Sequence, residues 1–279
     1  MAQKVLIIGG TGLTGKEIVK ALVKDKDIEI TCLTRPPTPK NPTSPFLTSL
    51  QIPLLPLDLS TTTPLSTLTT ALSPFPTIIS CLGFSSHVTE LRLIDALAGL
   101  PLTRFIPCSW ATPCPSGDIM LLRDEKQRVF ERVWQYKIPY TIVDVGFWYQ
   151  ISLPRVASGK LDGLIVLDAG DKFGDGKAEN LLIDKRDIGG FVGEIVKDAG
   201  TVGKWVVCWG ERIDQEGVFR VVGEESGEVV EVRDVSFLFP FILLFFTGKF
   251  DRVVGCVREA EWREKKLTHA FHPRSPTKV

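Results

Sequence analysis

The sequence predicts a doubly wound α/β fold, in which a parallel sheet is covered by helices on both faces and is joined to a smaller, interleaved α/β lobe. Three observations carry that expectation. Short apolar runs alternate with amphipathic stretches through the first half of the chain, a glycine-rich turn links the first run to the first amphipathic stretch, and the rhythm becomes less regular after Val145. Alternating strand-length and helix-length patterns are the mark of βαβ units, whose crossovers cover a parallel sheet and leave ligands at the carboxyl ends of the strands.

In the first half, strands are expected at residues 4–8, 29–34, 54–57, 77–81, 104–107 and 140–145, with helical patterns at 12–24, 65–72, 88–98 and 118–137. Residues 36–76 break the rhythm. They hold ten of the nineteen prolines and many Ser and Thr. Proline fixes φ and removes a backbone donor, so a long surface connection is expected there, with a helical turn near 46–50. In the second half an apolar run at 164–167, strands at 180–183, 205–208 and 229–235, and helices at 187–197 and 213–222 suit a small lobe. The chain thus divides into residues 1–150, residues 151–271 and a tail, 272–279, whose two prolines and lack of apolar pattern predict fraying. No internal repeat is visible.

Composition excludes several functions. The 279 residues hold 33 Lys plus Arg against 33 Asp plus Glu, a formal charge of zero that offers no footprint for a nucleic acid. At 44% hydrophobic, the chain can bury a sizeable core. The six cysteines form no CxxC pair, and three lie in or beside apolar runs, which suits reduced thiols and a cytoplasmic protein. Three histidines, including His269 and His272 near the end, leave no recognisable metal set. The start, MAQKVLIIGG, enters a strand at once and reads as neither signal peptide nor anchor. Residues 237–246, FLFPFILLFF, are too few to span a bilayer; burial in the lobe, a pocket lid and a subunit contact are the main readings, and shallow membrane contact is the minor one.

The turn Gly9-Gly10-Thr11-Gly12-Leu13-Thr14-Gly15 follows one apolar strand and opens a helix. Such glycines allow a sharp turn, close helix packing and the approach of a pyrophosphate to free N–H groups at the helix start. An NAD-type site wants Asp or Glu at the end of the second strand, to bind the ribose hydroxyls. Here that position reads Thr34-Arg35. A guanidinium can bind a 2′-phosphate that a carboxylate would repel, so NADP or NADPH is the expected cofactor. Asp58 either accepts from the adenine amino group or caps its own turn. Cys81-Leu82-Gly83, at the end of the fourth strand, complete the expected cofactor-binding set.

Tyrosines occur only at 136, 140 and 149, and none is followed four residues later by Lys. The Tyr and Lys dyad common in short-chain reductases is therefore absent. On the helical pattern at 118–137, Ile119, Leu122, Val129, Phe130 and Val133 share one stripe, and Lys126 lies within it. Loss of solvent favours the neutral amine, and a cofactor ribose could fix its head group, making Lys126 a candidate proton donor or relay. The competing reading is a lysine that snorkels past the helix edge.

GGTGLTG, Arg35, the segment Arg104-Phe105-Ile106-Pro107-Cys108-Ser109-Trp110-Ala111, Glu125-Lys126-Gln127-Arg128, Ile138-Pro139-Tyr140-Thr141-Ile142-Val143 and Asp187-Ile188-Gly189 occur in this order. Together they resemble the NmrA-like, isoflavone-reductase-like branch of atypical short-chain dehydrogenases, above all its filamentous-fungal members. The resemblance implies an NADP-binding Rossmann domain, a substrate lobe, and a general acid/base lysine at Lys126 that also contacts the cofactor. One turn departs from the pattern: Cys108, Ser109 and Ala111 stand where the family has Ser, Glu and Gly. The carboxylate is lost. Ser109 and Trp110 remain candidates for substrate contact, with Ser109 offering a hydroxyl, and Cys108 is expected to be buried rather than reactive.

Phe147, Trp148 and Tyr149 follow the sixth strand, where their rings either stack on a ligand or pack the sheet against the lobe. His87, near the mouth of the fourth strand, is either a substrate contact or a loop histidine. The expected function is NADPH-dependent reduction of a C=O or conjugated C=C bond in a small hydrophobic, aromatic or polyketide-derived metabolite of fungal secondary metabolism. A non-catalytic NADP sensor of a protein partner and a redox-neutral isomerase or cyclase are the alternatives. The expected partners are a small-molecule substrate and at most a second copy of the chain, with no nucleic acid and no integral membrane segment.

Overall fold

A computed structural model of the chain describes residues 2–38, 44–83, 86–159 and 170–235. In chain order the first half forms β1 (Gln3–Ile8), α1 (Leu13–Leu22), β2 (Ile28–Thr34), α2 (Pro45–Ser49), β3 (Leu54–Pro56), α3 (Leu65–Leu72), β4 (Thr77–Ser80), α4 (His87–Leu97), β5 (Arg104–Ile106), α5 (Leu121–Gln135) and β6 (Thr141–Val145). The remainder forms β7 (Phe147–Trp148), α6 (Tyr149–Ser152), β8 (Asp171–Phe173), β9 (Asn180–Ile183), α7 (Ile188–Lys197), β10 (Lys204–Cys208), β11 (Glu211–Ile213), α8 (Gln215–Ser226) and β12 (Arg233–Val235).

The main sheet is parallel, in the order β3-β2-β1-β4-β5. A parallel bridge from Phe105 to Tyr140 extends it to β6, which pairs in parallel with β10. The strand order reverses between β1 and β4, the place where open α/β sheets present a ligand site at the carboxyl ends of their strands. The α/β expectation holds, with the parallel central sheet and flanking helices of a Rossmann-like fold.

The core explains why β1 is apolar at every position from Val5 to Ile8. Val5 and Ile7 join one core layer with Ile18, Val19 and Leu22 of α1 and Ile188 and Val192 of α7. Leu6 and Ile8 point the other way, into a layer with Leu68 of α3, Leu93 of α4 and Phe130 of α5. A strand covered on both faces cannot alternate apolar with polar. Each such Leu or Ile contributes roughly 1.5–3 kcal/mol by burial. Helices α1 and α7 touch backbone to backbone, since a Cβ at Gly189 would stand 2.2 Å from the Glu17 carbonyl oxygen. The buried Arg104 guanidinium, at the start of β5, closes the far end of α7 by donating to the carbonyls of Ile195 and Asp198.

Three expectations are corrected. The proline-rich stretch is not a surface connection: Leu47, Leu57, Leu59, Leu68 and Leu72 are buried. Pro45 at the first turn of α2, Pro64 before α3 and Pro56 in the edge strand β3 stand where no interior donor is needed. The fifth helix begins at Leu121 rather than 118, because Gly117 (φ 106°) and Asp118 (φ 61°) are left-handed and the Asp124 carboxylate accepts from both of their N–H groups. Helix α8 begins at Gln215 rather than 213. Ile213 ends β11, Asp214 caps the helix by accepting from Gly217 N–H, and left-handed Gly227 stops it.

In the lobe β7 pairs in parallel with β9, β9 runs antiparallel to β11, and β8 pairs in parallel with β12. The expected strand at 229–235 shortens to β12. The apolar runs at 164–167 and 237–246, His269, His272 and the tail lie outside the described residues. No helix among the described residues is long and apolar enough to cross a membrane.

Candidate active site

The glycine turn stands at the point where the strand order reverses. Gly9 is left-handed (φ 79°), and a Cβ there would stand 2.3 Å from the Cys81 carbonyl oxygen; one at Gly15 would stand 2.1 Å from the Gly9 carbonyl oxygen. Those two glycines are required by the chain's own backbone. Gly12 differs: its φ of −72° suits any residue, and the nearest atom to an added Cβ is 3.3 Å away. It caps α1 without a side-chain hydrogen bond, the first turn holds no acidic residue, and Thr11 and Leu13 are exposed. An uncapped helix start keeps free N–H donors and positive dipole charge, which together favour a phosphate; Thr14 and Gly15, buried behind it, pack the helix onto the sheet.

Arg35 is exposed immediately past β2. Asp58, just past β3, accepts from Ser60 N–H at 2.9 Å and Ser60 hydroxyl at 2.7 Å. Those hydrogen bonds, with a smaller contribution from Arg35, hold its carboxyl below the ordinary value. Both oxygens of Asp58 thus serve a local turn, and the exposed Arg35 stands at the end of β2 with Asp58 as a charged neighbour. This donor set fits a pyrophosphate and a 2′-phosphate.

A small pocket opens at the carboxyl ends of β4 and β5, lined by Gly83, His87, Glu90, Cys108, Leu122, Glu125, Lys126 and Val129. Leu122, Lys126 and Val129 project together because positions four and three apart share a helix face. The Lys126 ammonium does not turn to solvent; it donates to the Cys108 carbonyl at 2.7 Å, with the Cys108 sulfur 3.9 Å away. From the same residue, Cys108 N–H donates to Glu90 Oε1 at 2.7 Å. Burial raises the Glu90 carboxyl above its ordinary value, opposed by Cys108 N–H, the Ser80 hydroxyl and Lys126. Burial also pushes the Cys108 thiol up to about 12, so at neutral pH it stays protonated and donates to the Leu82 carbonyl at 3.0 Å. Cys81 is likewise buried and raised. His87 Nε2 lies 3.1 Å from Glu125 Oε2 at the rim.

Of the residues singled out from sequence, Gly83, His87 and Lys126 meet in this pocket. Others are turned inward. The Ser109 hydroxyl donates to buried Asp144, and the Trp110 indole N–H donates to the Ser80 carbonyl at 2.8 Å. Phe147 and Tyr149 pack in the lobe with Val156, Leu182, Val218 and Val222, while Trp148 packs against the sheet core. The Tyr149 hydroxyl donates to Glu211. These three rings join sheet to lobe.

Sequence reasoning missed Glu90, Arg123, Glu125 and Asp144. Glu90 shares the stripe of Ile94 and Leu97, and Asp144 interrupts the otherwise apolar strand TIVDV. A carboxylate on a buried stripe demands a partner, and that was the available signal. Asp144 finds three: Ser109, Arg123 at 2.9 Å and the Trp205 indole N–H at 2.8 Å.

Residues 1–238 match the family described as the NmrA-like family. Asnovolin J 5′,6′-dehydrogenase of Aspergillus novofumigatus is 31% identical over 236 residues, covering 83% of this chain and 72% of that protein. An isoflavone reductase homologue of Nicotiana glauca is 29% identical over 218 residues; the match covers 72% of this chain and 66% of the relative, so the chain spans about two thirds of that plant protein. Among solved structures, the leucoanthocyanidin reductase–NADPH complex of Vitis vinifera superposes with a TM-score of 0.69 at 19% identity, covering 86% of this chain and 84% of the other. A pinoresinol-lariciresinol and phenylcoumaran benzylic ether reductase structure gives 0.72 at 21% identity, with coverages of 92% and 86%.

Proposed function

The chain belongs to the NmrA-like family, and from that premise we propose that it is an NADPH-dependent reductase of a small hydrophobic metabolite, aromatic or polyketide-derived. The observation that carries the reading is the Lys126 ammonium, held by the Cys108 carbonyl in a pocket at the carboxyl ends of β4 and β5, beside the strand-order reversal. Residues 1–150 hold the cofactor in this reading and residues 151–271 form the substrate lobe.

Bound NADPH supplies the hydride. Gly12 and the free N–H groups of α1 hold the pyrophosphate, Arg35 pairs with the 2′-phosphate, and Cys81, Leu82 and Gly83 form the wall along the end of β4. Lys126 delivers a proton to the reduced substrate, and Leu122 and Val129 give the pocket an apolar side that keeps water from the reacting carbon. A proton placed by a positioned side chain typically contributes 10²–10⁴-fold. The fungal relative is named a dehydrogenase, which favours a second reading in which the same site runs in the oxidative direction with NADP and Lys126 takes the proton up.

The test is absorbance at the reduced-nicotinamide band with a panel of aromatic ketones, enones and quinones, and in reverse with NADP and the corresponding alcohols and saturated ketones. Turnover in either direction supports the oxidoreductase; tight NADPH binding with no turnover of any member overturns it and leaves a dinucleotide sensor.

A further inference from the structure

The turn after β5 has no carboxylate of its own, yet one is delivered to it from α4. Glu90 is 4% exposed, and its Oε1 accepts from Cys108 N–H at 2.7 Å. The carbonyl of that same residue accepts from Lys126 at 2.7 Å. The backbone of one residue is therefore clamped at its N–H by an acid and at its C=O by a base, and both groups line one pocket. We propose that Glu90 is the positioning residue and counter-charge of Lys126: it anchors the Cys108 backbone that aims the amine and sets an acidic group opposite it.

The surroundings favour this pairing over a purely structural glutamate. A buried carboxylate is costly unless hydrogen-bonded and paired. The groups facing Glu90 are the Ser80 hydroxyl and Cys81 thiol from the end of β4, Cys108 from the turn and Lys126 from α5; of these only Lys126 carries positive charge. Cys108 remains a neutral thiol, pushed up to about 12 by burial. On the Lys126 side the pocket also contains Glu125, which is engaged with His87 at 3.1 Å and Arg128 at 3.7 Å. Glu125 has other partners at the rim, and Lys126 is the one cation acting on Glu90 among the described residues. In the proposed reduction Lys126 gives up one proton per turnover and takes it back from solvent, and the Glu90 anchor holds the amine in the same position each time.

The inference rests on the proposed function for its catalytic consequence, but its test does not. Wild-type protein and Glu90→Gln are acylated briefly with acetic anhydride near neutral pH, and the rate at Lys126 is read by peptide mass spectrometry against exposed Lys24. Glutamine keeps the acceptor for Cys108 N–H and removes only the charge. Removing one nearby opposite charge leaves an amine less firmly held and about tenfold more reactive, so Lys126 is expected to label about tenfold faster in Glu90→Gln with Lys24 unchanged. Equal rates at Lys126 overturn the proposal. The reciprocal variant, Lys126→Met, serves if Glu90→Gln does not fold: without its cation, Glu90 is expected to show a protonated carboxyl stretch in the infrared at neutral pH, and its absence is the overturning result. Faster labelling without any turnover leaves the Glu90 assignment standing and removes only the reductase reading.

Discussion

Arg123 and Lys126 lie three residues apart on α5 and meet opposite environments. The Arg123 side chain is fully buried: it pairs with Asp144 at 2.9 Å, donates to the Thr112 carbonyl at 2.8 Å, and lies 6.0 Å from the Phe130 ring centre and 5.6 Å from that of Trp205. Lys126 faces a pocket and donates to the Cys108 carbonyl, with the Cys108 sulfur 3.9 Å away. The turn after β5 repeats the division, with the Cys108 peptide facing the pocket and the Ser109 side chain facing the core. This network, closed to solvent, ties the helix to β6 and β10, with Arg123 Nε and Nη1 buried and without a hydrogen-bond partner among the described residues. The Lys126 side opens on the pocket. On the proposed reading, two cations of one helix thus divide stability and chemistry.

Four substitutions test that division. The largest effect is expected from Asp144→Ala, which strands the Arg123 charge in the core and should cost about 3–5 kcal/mol in denaturant unfolding; a loss no larger than that of an exposed ion pair would refute the closed network. Lys126→Ala should lower kcat by about 100-fold or more while leaving the unfolding midpoint near that of wild type. If it unfolds the protein instead, the two cations are alike after all. Arg35→Ala should weaken NADPH binding by about tenfold and leave NADH binding unchanged, the expected cost of one charge-assisted contact to the 2′-phosphate. The smallest effect is expected from Ser109→Ala, a loss of about 1–2 kcal/mol in stability with unchanged turnover, because its hydroxyl serves Asp144. Reduced turnover at unchanged stability would return Ser109 to the pocket side.

The fold was legible because its code is local. Consecutive apolar residues in β1 announced a strand covered on both faces, and the glycine turn announced the helix that follows it. Where reading by composition failed, at residues 36–76, prolines were counted without asking whether each occupied a position that needs a donor. The glycine turn was legible for the same reason as the fold, since Gly15 packs on the backbone of Gly9; the cofactor roles proposed for Gly12 and Arg35 rest on the same local pattern.

The reactive set was legible only in part. Lys126 stood out as a cation on an apolar stripe, but the same criterion applied to Glu90 and Asp144 would have found two more groups. Ser109, Trp110 and the aromatic run at 147–149 looked available because they follow strands at the carboxyl edge. Their side chains instead turn inward to Asp144, to the Ser80 carbonyl and to the seam between sheet and lobe.

The sequence by itself determined the strand and helix rhythm, the glycine turn, the missing tyrosine dyad and the singular lysine, since each depends on residues within a few positions of one another. Tertiary structure alone decided which polar groups share a cavity and which are spent in the core. Glu90 reaches Cys108 across 18 positions, Lys126 reaches the same residue across another 18, and Ser109 reaches Asp144 across 35. Hydrogen-bond partners that distant are chosen by how strands and helices stack, and no local pattern records that choice.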